Sequence, residues 1–348
     1  LGAAGPAPAA DLPRVEIRAQ QAIRDDPKVA ARMTVGGRTH RVKIEWRGHS
    51  SLLFPKKSYA VEAKRRVRLL GMPRERDWAL NAHYADPTLL RDVLAHSAAR
   101  RMGLAASRTR LVRLRVNSRP RGVYVLTEPP ELSDRRVQGE ALLELTEPRK
   151  VDAGDEWFPS ATGLAVVHSE PDEADKRTSR AARAAVEAFE AGDLDRLDRA
   201  SAVDYVLHAE LFKNQDAFLS STYVHLGKDG RLALGPVWDH DLSAGNVVEP
   251  ALAPPEGLLL PGRAWAGALL EDPAFRAALA ARWRELRAAG LLEAILRTAD
   301  RHARRLRAVR TLDRPVFRNQ PVHVSHEAAV AALRDWLARR AAWMDGAL

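Results

Sequence analysis

The sequence predicts an α+β chain in two lobes: a flexible leader over residues 1–12, a β-rich lobe over 13–128 and a mostly helical lobe over 129–348. Three observations carry this. The first third alternates polar and apolar residues with a period of two, in runs broken by glycine. Two prolines, Pro129 and Pro130, then stiffen the chain where the pattern changes. Beyond Ser179 the apolar residues recur every three or four positions, as on helices.

Taken in order, "LGAAGPAPAADLP" is Ala/Pro/Gly-rich and reads as a leader of the kind that remains after an export signal. "RVEIRAQ", "ARMTVGG", "HRVKIEWRG" and "SYAVEAKRR" are strands. "DPTLLRDVLAHSAARRMG" is a helix, with Asp86 as cap, Pro87 just inside and Gly103 as its stop. "TRLVRLRVN" and "RGVYVLTE" form a hairpin, and "ALLELTEP" and "GLAVVHSE" are short strands. Helices are expected over 179–191, 201–215, 272–289, 291–310 and 326–345, with one hairpin, "TYVHLGKDGRLALGPVW", set among them.

The chain has 348 residues, 46% of them hydrophobic and 29% charged, enough to build a sizeable core. No apolar run reaches the roughly 20 residues of a membrane helix, so no integral membrane segment is expected. With no cysteine, thiol catalysis, disulfides and cysteine–zinc sites are excluded, and the compartment stays open. The formal charge of +10 admits a nucleic-acid partner. Nine lysines stand against 46 arginines, however, and the arginines are scattered among alanines rather than gathered in one stripe. That is a compositional bias, and no nucleic-acid partner is expected.

"LALGPVWDHDLSAGN" delivers Asp239, His240 and Asp241 at the end of an apolar run. Asp216 ends the helix before the hairpin, 23 residues upstream, and a hairpin brings its two ends together. Carboxylates gathered in this way suit Mg²⁺, which takes one or two of them plus phosphate oxygens. One Asp orienting a hydroxyl while another holds metal is the phosphoryl-transfer arrangement. The plain alternative is a helix end and a solvated turn. In "EWRGHSSLLFPKKSYAVEAK", Gly48, Ser50 and Ser51 form a turn able to cradle phosphates, and Lys56 and Lys57 follow it. Alternation sends Lys57, Tyr59 and Val61 to one face, which favours Lys57 as the inward lysine. Eleven histidines show no metal-binding spacing, Glu210 reads as structural, and Trp78, Trp238, Trp283, Trp336 and Trp343 read as core.

Five blocks, "RGHSSLLFPKKSY", "LLGMPRERDWALNAHYADPTLLRDVL", "GVYVLTE", "FKNQDAFLSSTY" and "LGPVWDHDLSAGN", resemble in order the CotH family of spore-coat-protein-H-like atypical protein kinases, from about residue 12 to 248. The resemblance implies a two-lobed, atypical protein-kinase-like fold that uses ATP and Mg²⁺ and transfers phosphate to serines of a protein substrate. By the matched motifs, Asp216 is the catalytic aspartate and Asp239 the metal-binding aspartate; Asp241, two residues on and on the same side of an extended chain, is expected to bind a second ion or orient the first. Lys57 and Lys56 match the "PKKSY" lysines, Arg47, Ser50 and Ser51 the phosphate-side turn, and Glu128 the connector against adenine. Two departures stand out: Ser221 replaces an Asn common in the family five residues after the catalytic Asp, and His240 replaces the Phe of "WDFD". The alternative these departures raise is a catalytically weak, pseudokinase-like module that binds nucleotide or a partner in an outer layer or cell envelope.

Overall fold

A computed structural model of the chain describes residues 12–171, 176–307, 316, 320 and 324–348. The expected leader lies outside the described residues except for Leu12, as do residues 308–310 of the expected 291–310 helix.

Strands β1 (Arg14–Ala19), β2 (Val29–Val35), β3 (Arg38–Arg47), β4 (Ser58–Arg68), β5 (Arg74–Asn81), β6 (Thr109–Val116) and β7 (Arg119–Thr127) close into a barrel in the order β1-β2-β3-β4-β5-β7-β6. The closing pair is β1 with β6, parallel, with Arg14 opposite Arg113 and Ile17 opposite Val116. Every other pair in the barrel is antiparallel. Alternate residues fill the interior, among them Ile17, Met33, Ile44, Val61, Trp78 and Leu126. Helix α1 (Arg91–Met102) lies on the outer face of β6 and β7, and ends at Gly103, whose φ of +96° suits glycine.

The rest of the chain combines a sheet with helices. Strands β8 (Ala141–Thr146), β9 (Trp157–Pro159), β10 (Ala165–Glu170), β11 (Thr222–Leu226) and β12 (Leu232–Leu234) form a second sheet, ordered β12-β11-β8-β10-β9. Around it pack α2 (Lys176–Glu190), α3 (Arg199–Phe212), α4 (Ala264–Glu271), α5 (Pro273–Ala288), α6 (Leu291–Arg305) and α7 (His326–Ala347). Arg340 of α7 and Glu210 of α3 form a buried pair at 2.6 Å, and Glu210 also accepts from the backbone N–H groups of Leu259 and Leu260. A small apolar seam joins the barrel to the second sheet: Ala79, Val137, Leu142, Tyr223 and Trp238.

The α+β class stands, but the two-lobed kinase-like architecture expected from the sequence does not. The N-terminal strands close into a barrel, and in the remainder the two expected short strands and the hairpin join, with β9, into one five-stranded sheet. Closure depends on β1 meeting β6 about a hundred residues later, and the second sheet on β8 meeting β11 across two helices. Local periodicity identifies strands but says nothing about such distant partners.

Candidate active site

The hairpin β11–β12 presents Asp216 and Asp239 from its open end, with Val224 opposite Leu234 and Leu226 opposite Leu232. After α3 the chain turns through Lys213, in the left-handed region at φ +47°, and Asn214 Oδ1 accepts from the N–H of Asp216. On the other arm Asp239 is itself at φ +56°, a conformation uncommon for any residue but glycine. Strain of this kind persists where surrounding structure fixes it. Here Trp238 is in the apolar seam, and the N–H of His240 donates to Asp92.

Electrostatics ties the three aspartates together. Burial pushes Asp239 well above the usual carboxylate range, and the charges of Asp241, Asp216 and Asp92 push it further. Burial likewise raises Asp216 to about 6; Asp241 and Glu147 add to this, while Lys150 and Arg263 oppose it. Like charges held together in this way each disfavour the ionised form of the other, a cost that a nearby cation would reduce.

Behind them lies a buried histidine–aspartate chain. The ring of His83 spans two carboxylates, with Nδ1 3.6 Å from Asp241 and Nε2 3.3 Å from Asp92. Burial opposes charge on His83, but Asp92 and Asp241 outweigh it and raise the ring well above its ordinary pKa. Conversely, burial would raise Asp92, yet His96 and His83 hold it well below its ordinary value. These effects favour a charged His83 ring between the two carboxylates, with Asp241 on its far side. Asn246 donates to the carbonyl of Asp241 at 2.7 Å, so its amide holds the turn.

The turn that follows β3 reaches this group through Arg47. Gly48 sits at φ +100°, a glycine conformation, and Ser50–Leu53 make one turn of 3₁₀ helix. Arg47 donates to Asn81 at 3.0 Å, and its guanidinium lies 5.0 Å from the ring of Trp238, the neighbour of Asp239. His49 Nε2 meets the carbonyl of Lys150 at 2.8 Å, joining the turn to the segment after β8. Lys150 in turn donates to Ser220 at 3.0 Å and pairs with Glu147.

The structure thus brings Asp216, Asp239, Asp241 and Arg47 into one neighbourhood, with Ser50 and Ser51 on the adjoining turn. Lys57 is bound to that same turn, and Lys56 and Glu128 make their contacts elsewhere. Lys57 folds back on its own turn, donating to the carbonyl of Leu52 beside the ring of Trp46. Lys56 is the more deeply desolvated of the two: its ammonium donates to the carbonyl of Ala82 and lies 4.5 Å from the Tyr124 ring, and burial lowers it to about 7. The alternation that singled out Lys57 as inward begins only at Ser58, where β4 starts; Tyr59 and Val61 do point into the barrel. Glu128 is buried and accepts from the N–H of Arg108 at 2.7 Å. Sequence reasoning missed His83, Asp92 and Lys150. The scarcity of lysine that drew attention to residues 56 and 57 applies equally to Lys150.

Among the described residues no three His, Cys, Asp or Glu side chains form a ready-made metal cage. Magnesium does not require one, since it keeps water and phosphate oxygens around one or two carboxylates. Asp239 and Asp241 are hard oxygen donors whose mutual repulsion a cation relieves, so the residues fit that ion.

The family described as CotH kinase protein matches residues 44–344. The chain belongs to the CotH family. Comparison with curated proteins finds no match. The CotH match runs from β3 to α7 and takes in both the Ser50–Leu53 turn and the aspartate hairpin.

Proposed function

We propose that this CotH-family chain is an ATP- and Mg²⁺-dependent phosphotransferase acting on hydroxyl groups, serine above all, of a protein substrate. The observation that carries the reading is the gathering of Asp216, Asp239 and Asp241 beside Arg47, where the charge of Asp241 helps to raise both Asp216 and Asp239. Asp239, with Asp241, would hold magnesium, which when bound neutralises phosphate oxygens. Asp216, ionised at neutral pH yet more basic than an ordinary carboxylate, orients the acceptor hydroxyl and accepts its proton. Arg47 and the turn at Ser50 and Ser51 bind phosphate from the barrel side. Lys150, next to Asp216, balances charge near the acceptor. Positioning and charge neutralisation supply most of the catalysis in phosphoryl transfer, and these side chains are of the kinds required. We place the boundary between the two units of the chain after Glu128.

A second reading, a nucleotide-binding module with little transfer activity, is favoured by Ser221, which offers a weaker metal ligand than Asn. It is also favoured by Lys56 and Lys57, both of which are occupied by backbone carbonyls. Incubation with radiolabelled ATP and Mg²⁺ distinguishes the two. Label incorporated into the chain or an added protein, and lost in Asp239→Ala, supports transfer. Mg²⁺-dependent nucleotide binding without label supports the second reading.

A further inference from the structure

A cavity of about 560 Å³ opens between the outer faces of β1, β6 and β7 and the 83–89 segment that leads into α1. None of Asp216, Asp239, Asp241, Arg47, Ser50 and Ser51 lines it. Among the described residues its walls carry five arginines (Arg14, Arg113, Arg115, Arg121 and Arg305), Lys56, the ring of His83 and one carboxylate, Asp86. That carboxylate is already committed. It pairs with Arg91 at 2.5 Å and accepts from the N–H groups of Thr88, Leu90 and Arg91.

The cations are arranged at a cost. Arg14 and Arg113 are register partners on the parallel pair β1–β6, and both line the cavity. Arg115 donates Nη2 to the carbonyl of Ser118, while its Nε is buried without a partner. The ammonium of Lys56 meets carbonyls and a ring, with burial working against its charge. Between these groups the wall is apolar, with Pro87, Leu89, Leu114 and Val123.

We propose that this cavity binds an organic phosphate monoester, with its dianion on the guanidinium groups and its body on the apolar wall. Guanidinium forks match phosphate oxygens in pairs, and several arginines gathered around one cavity favour a dianion over a single carboxylate. The volume is that of a small-molecule site, and larger than a bare phosphate fills. The site is separate from the transfer site, although both touch the ring of His83, which lines the cavity and also contacts Asp241.

Phenyl phosphate is a suitable probe, titrated calorimetrically onto the full chain, with phenol, inorganic phosphate and a non-hydrolysable Mg–ATP analogue as comparators. Phenyl phosphate is expected to bind saturably and phenol not at all, with inorganic phosphate several-fold weaker. Arg14→Ala and Arg121→Glu, both at exposed positions that leave the barrel core intact, should each weaken it at least tenfold. Asp239→Ala and the Mg–ATP analogue should leave it unchanged, which keeps the result independent of the transferase reading. Vesicles of phosphatidylcholine with phosphatidic acid should not sediment the chain. Absence of saturable binding, displacement by the nucleotide, indifference to both arginine variants, equal binding of inorganic phosphate, or capture only by the vesicles would overturn the proposal.

Discussion

Replacing Asp216 with Asn separates its role in transfer from what its charge costs the fold. The carboxyl moves from an ordinary 3.8 to about 6 on folding, mainly through burial. An acid raised in this way holds its proton more tightly folded than unfolded. The folded state therefore loses stability as pH climbs from 3.8 through about 6, and the loss is complete above that. At about 1.4 kcal/mol for each pH unit, the displacement corresponds to about 3 kcal/mol. The side chain is half-buried, and solvent screening brings the expected cost to about 1–2 kcal/mol at neutral pH. Asn removes the charge and keeps the shape. Asp216→Asn should therefore be more stable than the parent by about 1–2 kcal/mol at pH 7.5, or about 1.5–3 °C in Tm for a chain of this length. The advantage should shrink towards zero near pH 4. Urea titrations of both chains at several pH values, without Mg²⁺ or nucleotide, measure it. The same variant should keep Mg²⁺-dependent nucleotide binding and lose transfer by about 10²–10⁴-fold. A variant less stable than the parent at pH 7.5, or a gain unchanged at pH 4.5, would refute the electrostatic argument.

Asp239→Ala should lose both Mg²⁺-dependent nucleotide binding and transfer, as followed by calorimetry and label incorporation; retention of either removes Asp239 from the metal site. Ser221 sits at φ +48°, a region Asn tolerates better than Ser. Ser221→Asn should thus leave the urea midpoint unchanged and lower the Mg²⁺ concentration that half-saturates transfer, and an unaltered Mg²⁺ dependence would show that residue 221 does not face the ion. Glu210→Ala and Arg340→Ala should each cost about 3–5 kcal/mol in urea unfolding, because each leaves a buried charge unpaired, while the double variant should cost less than the two together.

Strands were legible wherever one face meets a core. "RVEIRAQ" and "HRVKIEWRG" place Val15, Ile17, Val42 and Ile44 in the barrel interior, and their neighbours face outward. The start of α1 was less so. Asp86 does cap, but it caps the 87–91 turn through Thr88, Leu90 and Arg91, and Leu89 at φ +57° delays the helix to Arg91. Helix α4 went unseen because "AWAGALLE" is short and apolar all round, which gives no periodicity to detect. Barrel closure went unseen because it is a pairing and not a pattern.

The same limit explains the site. Asp216 and Asp239 were legible because the hairpin between them is a local structure whose geometry follows from its turn. His83 and Asp92 sit in quoted sequence, "NAHYADPTLLRDVL", yet nothing local joins them to Asp241, about 150 residues on. Their partnership exists only because α1 packs beside the hairpin, where burial makes an unpaired charge expensive and a His83–Asp92 ion pair the available remedy. That pair then has an effect on the site itself. It leaves Asp241 with a cationic neighbour on one side and Asp239 on the other, so Asp239 has no protein cation to offset it as fully. Asp239, whose carboxyl is raised by burial and by the charges of Asp241, Asp216 and Asp92, is thus the one best placed to gain from a metal ion.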